Sequence, residues 1–151
     1  MADFSDGKPL LVDATDLMLG RLASLVAKHL LSGESVTIVN AENAVISGRK
    51  QNILDEMRII LGLRNKGSKK KSPKHPRRPD GIVRRTVRGM LPFDKPRGKE
   101  AFGRLRVCVG TPTGIDVSTV RTLTEAQRHE GTRIMTIGDL ARIIGWQSLE
   151  V

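Results

Sequence analysis

The spacing of apolar residues in the first forty positions predicts a strand, a helix and a second strand. Residues 10–14 form a short, mainly apolar run, and residues 36–39 form another. Between them, apolar side chains in residues 19–30 recur every three or four positions, as on the buried face of a helix. Two strands joined by a helix favour parallel pairing with a right-handed crossover. We expect Asp16 to cap this helix and Gly33 to end it.

A further apolar run and a second helix follow directly. Residues 44–47 form a further apolar run after a polar turn at Asn40. A second amphipathic helix is predicted from about Lys50 to Gly62, because apolar residues again fall on one face. These apolar residues are Ile53, Leu54, Met57, Ile60 and Leu61. Alternation of strands and helices favours an α/β fold with a mostly parallel central sheet.

Helical spacing returns after Asp80, which we expect to be the N-cap of a third helix. Its apolar stripe consists of Ile82, Val83, Val87, Met90 and Leu91. Three arginines, Arg84, Arg85 and Arg88, lie off this stripe. They are therefore predicted to lie on a face that points away from the core.

The last third of the chain carries weaker signals. Phe102 is expected to anchor a short helix, and residues 105–109 predict a strand. Residues 111–132 are polar and give no clear assignment. Thr136 and Asp139 resemble a capping box at the start of a final helix, which Gly145 would end.

Residues 64–80 differ from the rest because they contain no aliphatic side chain. They hold eight Lys and Arg residues and three prolines. Such a segment cannot bury enough apolar surface to fold by itself. We therefore predict one domain, residues 1–151, that carries a basic extension at residues 64–80, ordered only against a partner.

Positive charge is concentrated in and after this extension. Residues 64–106 hold 16 of the 26 Lys and Arg residues and three acidic residues, a net charge of +13. The rest of the chain carries 10 basic and 13 acidic residues, a net charge of −3. Such a concentration repels itself unless a polyanion lies opposite, so it indicates a nucleic-acid partner. A flexible basic segment on a rigid domain suits an irregular RNA surface better than duplex DNA.

The candidate RNA-binding residues are basic side chains of this block and two at the start of the second helix. They are Arg49, Lys50, Arg64, Lys66, Lys69, Lys70, Lys71, Lys74, His75, Arg77, Arg78, Arg84, Arg85, Arg88, Lys95, Arg97 and Lys99. Other interpretations of the charge run are a solvated disordered loop, a localisation signal or a patch for anionic membranes. The membrane interpretation lacks an amphipathic helix with bulky apolar residues beside the charges.

Composition limits the other classes of function. No apolar run approaches the 18 or so residues of a membrane helix, and residues 1–6 are acidic rather than an apolar signal core. Cys108 is the one cysteine, so no internal disulfide is possible and a reducing cytosol is expected. With no Tyr, one Trp and three Phe, platforms that stack several bases are poorly supplied.

Catalytic and cofactor motifs are also weak. Residues 13–21 resemble a strand-to-helix phosphate site but lack its glycines and carry two repelling acids. Residues 110–114 suggest a phosphate loop but lack its lysine, so a turn is the better interpretation. The three histidines and Cys108 have no metal-ligand spacing. We predict no catalytic residue, metal, cofactor or small-molecule substrate.

Several stretches resemble the large-subunit ribosomal protein L13 family. The most specific is Val-Arg-Gly-Met-Leu-Pro at residues 87–92. The others are residues 11–14 with Leu-Gly-Arg-Leu-Ala at 19–23, Val-Asn-Ala-Glu-Asn at 39–43 with Ser-Gly-Arg-Lys at 47–50, and Leu-Arg-Val at 105–107. They follow the family's order along the chain. The Lys- and Pro-rich insertion before Asp80, and Gly-Thr-Pro at 110–112, depart from the bacterial pattern and are similar to archaeal members.

The resemblance implies a three-layer α/β/α domain in the cytoplasm, bound to the ribosome. It implies a structural protein of the large subunit that binds large-subunit (23S-type) rRNA and supports assembly, beside neighbouring ribosomal proteins. Two rival functions remain at this point. A small nucleotide-binding α/β enzyme would bind free nucleotide, and a DNA-compacting protein would prefer duplex DNA.

Overall fold

The computed structural model describes residues 9–115 and 117–148, and of Val117 the backbone alone. The expected acidic start at residues 1–6 lies outside them. Five strands occur in the described residues: β1 Leu10–Asp13, β2 Val36–Val39, β3 Val45–Ser47, β4 Leu105–Val107 and β5 Ile134–Thr136. Five α-helices accompany them: α1 Leu19–Leu31, α2 Lys50–Gly62, α3 Pro79–Gly89, α4 Pro96–Gly103 and α5 Ile137–Ile143.

The central sheet has the order β1-β2-β4, and both of its strand pairs are parallel. Strand β2 is central and all four of its residues are buried. A parallel strand covered on both faces is a continuous apolar run in sequence, which is why residues 36–39 were recognisable. The predicted α/β class and the parallel β1-α1-β2 unit are confirmed.

A second, antiparallel pair joins β3 to β5. Strand β5 was not predicted, because it has three residues and follows a polar segment. These three residues form a strand because they pair with β3, which is distant in the chain. Strand β4 ends at Val107, two residues before the predicted end.

The helices bury their apolar stripes in one core. Helix α1 contributes Leu22, Ala23, Val26, Ala27 and Leu30, and α3 contributes Ile82, Val83 and Val87. Helix α1 contacts both α3 and α4. The side of α3 that faces α1 is thereby fixed, and the opposite side faces solvent.

Two of the predicted helix caps are wrong. Asp16 does not cap α1: its φ is 58°, and Met18 occupies the N-cap position without a side-chain hydrogen bond. Asp80 lies inside the first turn of α3, which begins at Pro79, because proline is well suited to the first helical position. The cap of α5 is confirmed, since the Asp139 N–H donates to Thr136 Oγ1 over 3.1 Å.

Two apolar side chains are more exposed than predicted. Ile60, on the apolar face of α2, is 38% exposed, because α2 buries only Ile53 and Leu54 in the core. Met90 follows α3 rather than belonging to its stripe, and it is 42% exposed. The next residue, Leu91, is buried in its place.

Candidate nucleic-acid interface

Helix α3 presents three arginines on its solvent side. Burial of Ile82, Val83 and Val87 fixes the helix, and Arg84, Arg85 and Arg88 are exposed on the other side, as predicted. We call these three residues the arginine face. Their backbone is rigid because the opposite stripe is packed in the core.

Two members of the arginine face are held against aromatic rings. The guanidinium carbon of Arg84 lies 4.7 Å from the centre of the Phe102 ring, and that of Arg88 lies 4.1 Å from the centre of the Phe93 ring. The two rings meet edge to face, with centres 5.5 Å apart. We call Arg84 and Arg88 the stacked pair. Among the described residues neither has a hydrogen-bond or ion-pair partner, so their N–H groups remain available.

Helix α4 holds these rings in place. A Cβ atom added to Gly98 would lie 2.0 Å from the Pro92 carbonyl oxygen, so α4 packs directly against the turn that follows α3. Phe93 leaves this turn and Phe102 leaves α4, which explains why the rings meet. Sequence reasoning missed both phenylalanines as parts of the site. A local feature of the sequence could have indicated them, because the two phenylalanines follow a pair of arginines spaced four residues apart on one helix face.

The second half of the basic extension is tied to the domain. Arg85 Nη1 donates to the Lys74 carbonyl oxygen over 3.0 Å, and Arg77 Nη1 donates to that of Ile144 over 2.9 Å. Pro76 packs on α3 at Gly81, where an added Cβ would lie 2.7 Å from Pro76 Cβ. Residues 74–78 therefore lie docked on α3 and α5. Two arginines of the predicted set use part of their donor capacity inside the protein.

His75, another candidate, lies in the same docked segment. Its ring is half-buried, and its Nε2 atom is buried without a hydrogen-bond partner among the described residues. It lines a cavity of about 360 Å³ together with Ile60 and Ile82. The ring packs against the domain, and contact between His75 and RNA stays a prediction.

The first half of the extension has local hydrogen bonds instead. A 3₁₀ turn spans Lys69–Lys71, and all three ammonium groups are exposed. The Asn65 N–H donates to Ser72 Oγ over 3.0 Å, and Ser72 Oγ donates to the Ser68 carbonyl over 3.3 Å. These bonds close a small loop without fixing it to the helices. The predicted end of the extension also shifts, because residues 79 and 80 belong to α3.

The remaining candidates occupy three other places. Arg78 pairs with Asp80 over 3.1 Å at the start of α3. Lys95, Arg97 and Lys99 are exposed at the start of α4, where Arg97 Nη2 also donates to the Leu31 carbonyl over 3.4 Å.

Arg49 and Lys50 are exposed at the start of α2, while the extension leaves its other end. The 13 residues of α2 separate them from the extension by roughly 18 Å at 1.5 Å per residue. Measured along this helix, the two residues are therefore distant from the point where the extension begins.

The places where an enzyme could bind a phosphate are occupied by the protein's own groups. Both carboxylate oxygens of Glu42 accept the Gly110 N–H, over 3.1 and 2.9 Å, in the loop that superficially resembled a phosphate site. At the β1–α1 junction, burial by itself raises the pKa of Asp13. Hydrogen bonds from the Thr15 backbone and hydroxyl and from the Asn40 amide outweigh burial and hold that pKa below its usual value. A carboxylate kept ionised there repels phosphate.

No group of three or more His, Cys, Asp or Glu side chains in residues 9–115 and 117–148 is arranged to hold a metal ion. Within the same residues, no helix is long and apolar enough to cross a bilayer.

Fold and surface together define the class: a small α/β protein with one strongly basic, arginine-rich face. The model of the family described as ribosomal protein L13 matches residues 7–113, and the chain belongs to that family. This confirms the resemblance carried by residues 11–107. The family is one of ribosomal proteins rather than enzymes.

Curated relatives agree over nearly the whole chain. The large ribosomal subunit protein uL13 of Methanococcoides burtonii is 49% identical over 136 residues, covering 89% of this chain and 96% of the relative. The protein of the same name from Haloarcula marismortui is 42% identical and covers 90% of each chain. That of Methanopyrus kandleri is 40% identical and covers 97% of each. All three sources are archaea, which agrees with the archaeal-type features of the sequence.

Proposed function

We propose that this protein is a structural constituent of the large ribosomal subunit that binds large-subunit rRNA and supports assembly of the subunit. The names of its relatives place those proteins in the large subunit. The net charge of +13 in residues 64–106 supports a polyanionic partner. Its place is on the ribosome in the cytoplasm, next to other large-subunit proteins.

The observation that carries this proposal is the stacked pair. Two guanidinium groups of like charge are held on Phe102 and Phe93 at 4.7 and 4.1 Å, with no acid paired to either among the described residues. Two unpaired cations four residues apart on a helix repel each other. The arrangement becomes favourable when phosphate oxygens accept the free N–H groups, because Arg binds phosphate with a planar fork.

The basic extension has a different part in the same function. Lys69, Lys70 and Lys71 neutralise phosphates as mobile point charges and release counterions from the RNA. A segment without aliphatic residues can thread between RNA helices, since it needs no core of its own. Arg49, Lys50 and the basic residues of α4 add further contacts to phosphates of the RNA. Sequence readout is secondary to phosphate binding.

Sedimentation tests the proposal in its native setting. The protein in a cell extract should co-sediment with large ribosomal subunits and leave them only at high salt. If about six to ten phosphates are neutralised, a plot of log affinity for large-subunit rRNA against log salt should have a slope of roughly −4 to −9. A slope near zero contradicts the proposal. Tight binding of free nucleotide would favour the enzyme, and preference for duplex DNA would favour a compacting protein.

A further inference from the structure

We propose that the stacked pair and its two phenylalanines form a binding site for a single unstacked nucleobase of RNA. The inference rests on the proposed rRNA-binding function and deepens it, because phosphate binding alone does not require this construction. The site is a pocket of about 280 Å³ on the solvent side of α3. It is lined by Pro76, Gly81, Arg84, Arg85, Arg88, Phe93 and Phe102.

Each guanidinium group of the stacked pair is already held near a phenylalanine ring, with its central carbon 4.7 Å from the ring centre for Arg84 and 4.1 Å for Arg88. Both side chains are exposed, so part of each guanidinium group remains open to solvent. RNA-binding proteins stack unpaired bases on guanidinium planes as well as on aromatic rings. A guanidinium group already held at a ring loses little conformational entropy when a base stacks on it.

The lining of the pocket is largely made of rings. Pro76, Phe93 and Phe102 contribute them, and Gly81, which has no side chain, allows Pro76 to pack against α3 at the edge of the pocket. A phosphate group gains little from contact with ring carbons, whereas a base gains burial against them and stacking on the guanidinium groups. The volume of about 280 Å³ lies just below the roughly 300 to 1,000 Å³ of small-ligand pockets. That size suits one base and is small for a dinucleotide cofactor.

The rim of the pocket is positively charged. Arg84, Arg85 and Arg88 surround the pocket, and the N–H groups of the stacked pair are unpaired among the described residues. A base in the pocket brings its own phosphate to this rim. Bases inside a duplex have their faces covered by neighbours, so the occupant must come from a loop, a bulge or a single strand.

The experiment compares two short RNAs that carry the same number of phosphates. One is a single-stranded RNA of mixed sequence, and the other is the same chain without bases. The full-length protein should bind the base-bearing RNA about tenfold more tightly at fixed salt, as expected for stacking of one base. In the double variant Arg84→Lys with Arg88→Lys, charge is kept but the planes are lost. The preference should then fall to about twofold or less.

A matched control variant carries Arg58→Lys and Arg142→Lys. Both arginines are exposed, at 66% and 62%, and both lie outside the basic block. This control should keep the tenfold preference of the unaltered protein. Equal binding of both RNAs by the unaltered protein overturns the base site and leaves a phosphate site. A preference that survives in the Arg84→Lys, Arg88→Lys variant also overturns it.

Failure of the proposed function has a different signature. In that case the unaltered protein does not co-sediment with large subunits, and it binds both short RNAs weakly or binds duplex DNA more tightly. If the protein is found in large subunits but shows no preference for the base-bearing RNA, only the base site is rejected. Circular dichroism of both double variants checks the fold, which should be intact because all four side chains are exposed.

Discussion

Lys69, Lys70 and Lys71 lie on a turn whose neighbouring hydrogen bonds are local, whereas Arg84, Arg85 and Arg88 lie on a helix whose other side is buried. Both groups carry three positive charges within one basic block. They differ in what happens when RNA binds. The lysine turn must be ordered at that moment, while the backbone of the arginine face is already fixed by Ile82, Val83 and Val87.

The difference shows that net charge does not measure binding strength. Side-chain ordering costs about 0.5 to 1.5 kcal/mol for each immobilised flexible side chain. For the stacked pair, part of this ordering cost arises on folding rather than on binding, because the guanidinium groups already lie over the rings in the free protein. The lysines gain a larger reach in exchange for weaker individual contacts.

The largest effect is expected when the packing of α4 against the turn after α3 is disturbed. Gly98→Ala would place a Cβ 2.0 Å from the Pro92 carbonyl oxygen, and backbone atoms must then move. We expect the free energy of unfolding to fall by about 3 kcal/mol. Gly103→Ala, at the end of the same helix and with no atom within 4 Å, is the control. It should be neutral or stabilising by up to about 1 kcal/mol.

Urea unfolding followed by circular dichroism measures both glycine variants. If Gly98→Ala is as stable as Gly103→Ala, the close packing of α4 on the turn after α3 does not contribute to stability.

The next largest effect is expected when one of the two groups of cations is removed. Alanine at Arg84, Arg85 and Arg88 together should weaken binding to large-subunit rRNA by about a hundredfold, at about 1 kcal/mol for each pre-positioned contact. Alanine at Lys69, Lys70 and Lys71 should weaken it by about tenfold, because the gain from three phosphates is reduced by the ordering of the turn.

Filter binding at one salt concentration measures this difference, and circular dichroism confirms that both triple variants fold. Neither set of changes touches the apolar stripe of α3. If the lysine variant is the weaker binder, flexibility is not a disadvantage and the extension dominates the interface.

A smaller effect is expected when the docked half of the extension is released. Gly81→Ala would put a Cβ 2.7 Å from Pro76 Cβ, so Pro76 must move away from α3. We expect a loss of about 1 kcal/mol after the gain in helix propensity is included. Limited trypsin digestion should become faster at Lys74 and Arg77. Gly89→Ala, in the same helix with open space around it, should leave the digestion rate unchanged.

The smallest effect concerns the mobility of the extension in the free protein, and it is measured without any substitution. Backbone order parameters from NMR relaxation should fall below about 0.6 for residues 64–73, and should approach about 0.85 for residues 74–78. The reason is that Arg85, Arg77 and Pro76 fix the second stretch. Equal values in both stretches would remove the distinction between the two halves of the extension.

The elements that could be predicted are those whose signal lies within a few neighbouring residues. The bounds of α2 and of β2 agree with the apolar spacing, because each face of a helix or a buried strand repeats locally. The caps at Asp16 and Asp80 could not be predicted, since the exact first residue of a helix depends on the loop before it. Strand β5 could not be predicted for a related reason. A strand of three residues is too short to show a repeating pattern of apolar positions.

The candidate site divides in the same way. The sequence alone determined the position of the positive charge, the arginine face on α3 and the family. Local spacing and charge are properties of adjacent residues, and they survive in any fold that keeps the helix.

Only the tertiary structure decided which basic side chains are bonded within the protein and which remain available to RNA. Arg77 donates to a carbonyl 67 residues away, and Arg104 donates to the Leu30 carbonyl 74 residues away, over 2.9 and 2.7 Å. The stacked pair, by contrast, meets rings from a turn and from α4 that folding brings beneath it. Whether an arginine faces RNA or a backbone carbonyl depends on acceptors that are distant in the chain, and these become neighbours only when the core packs.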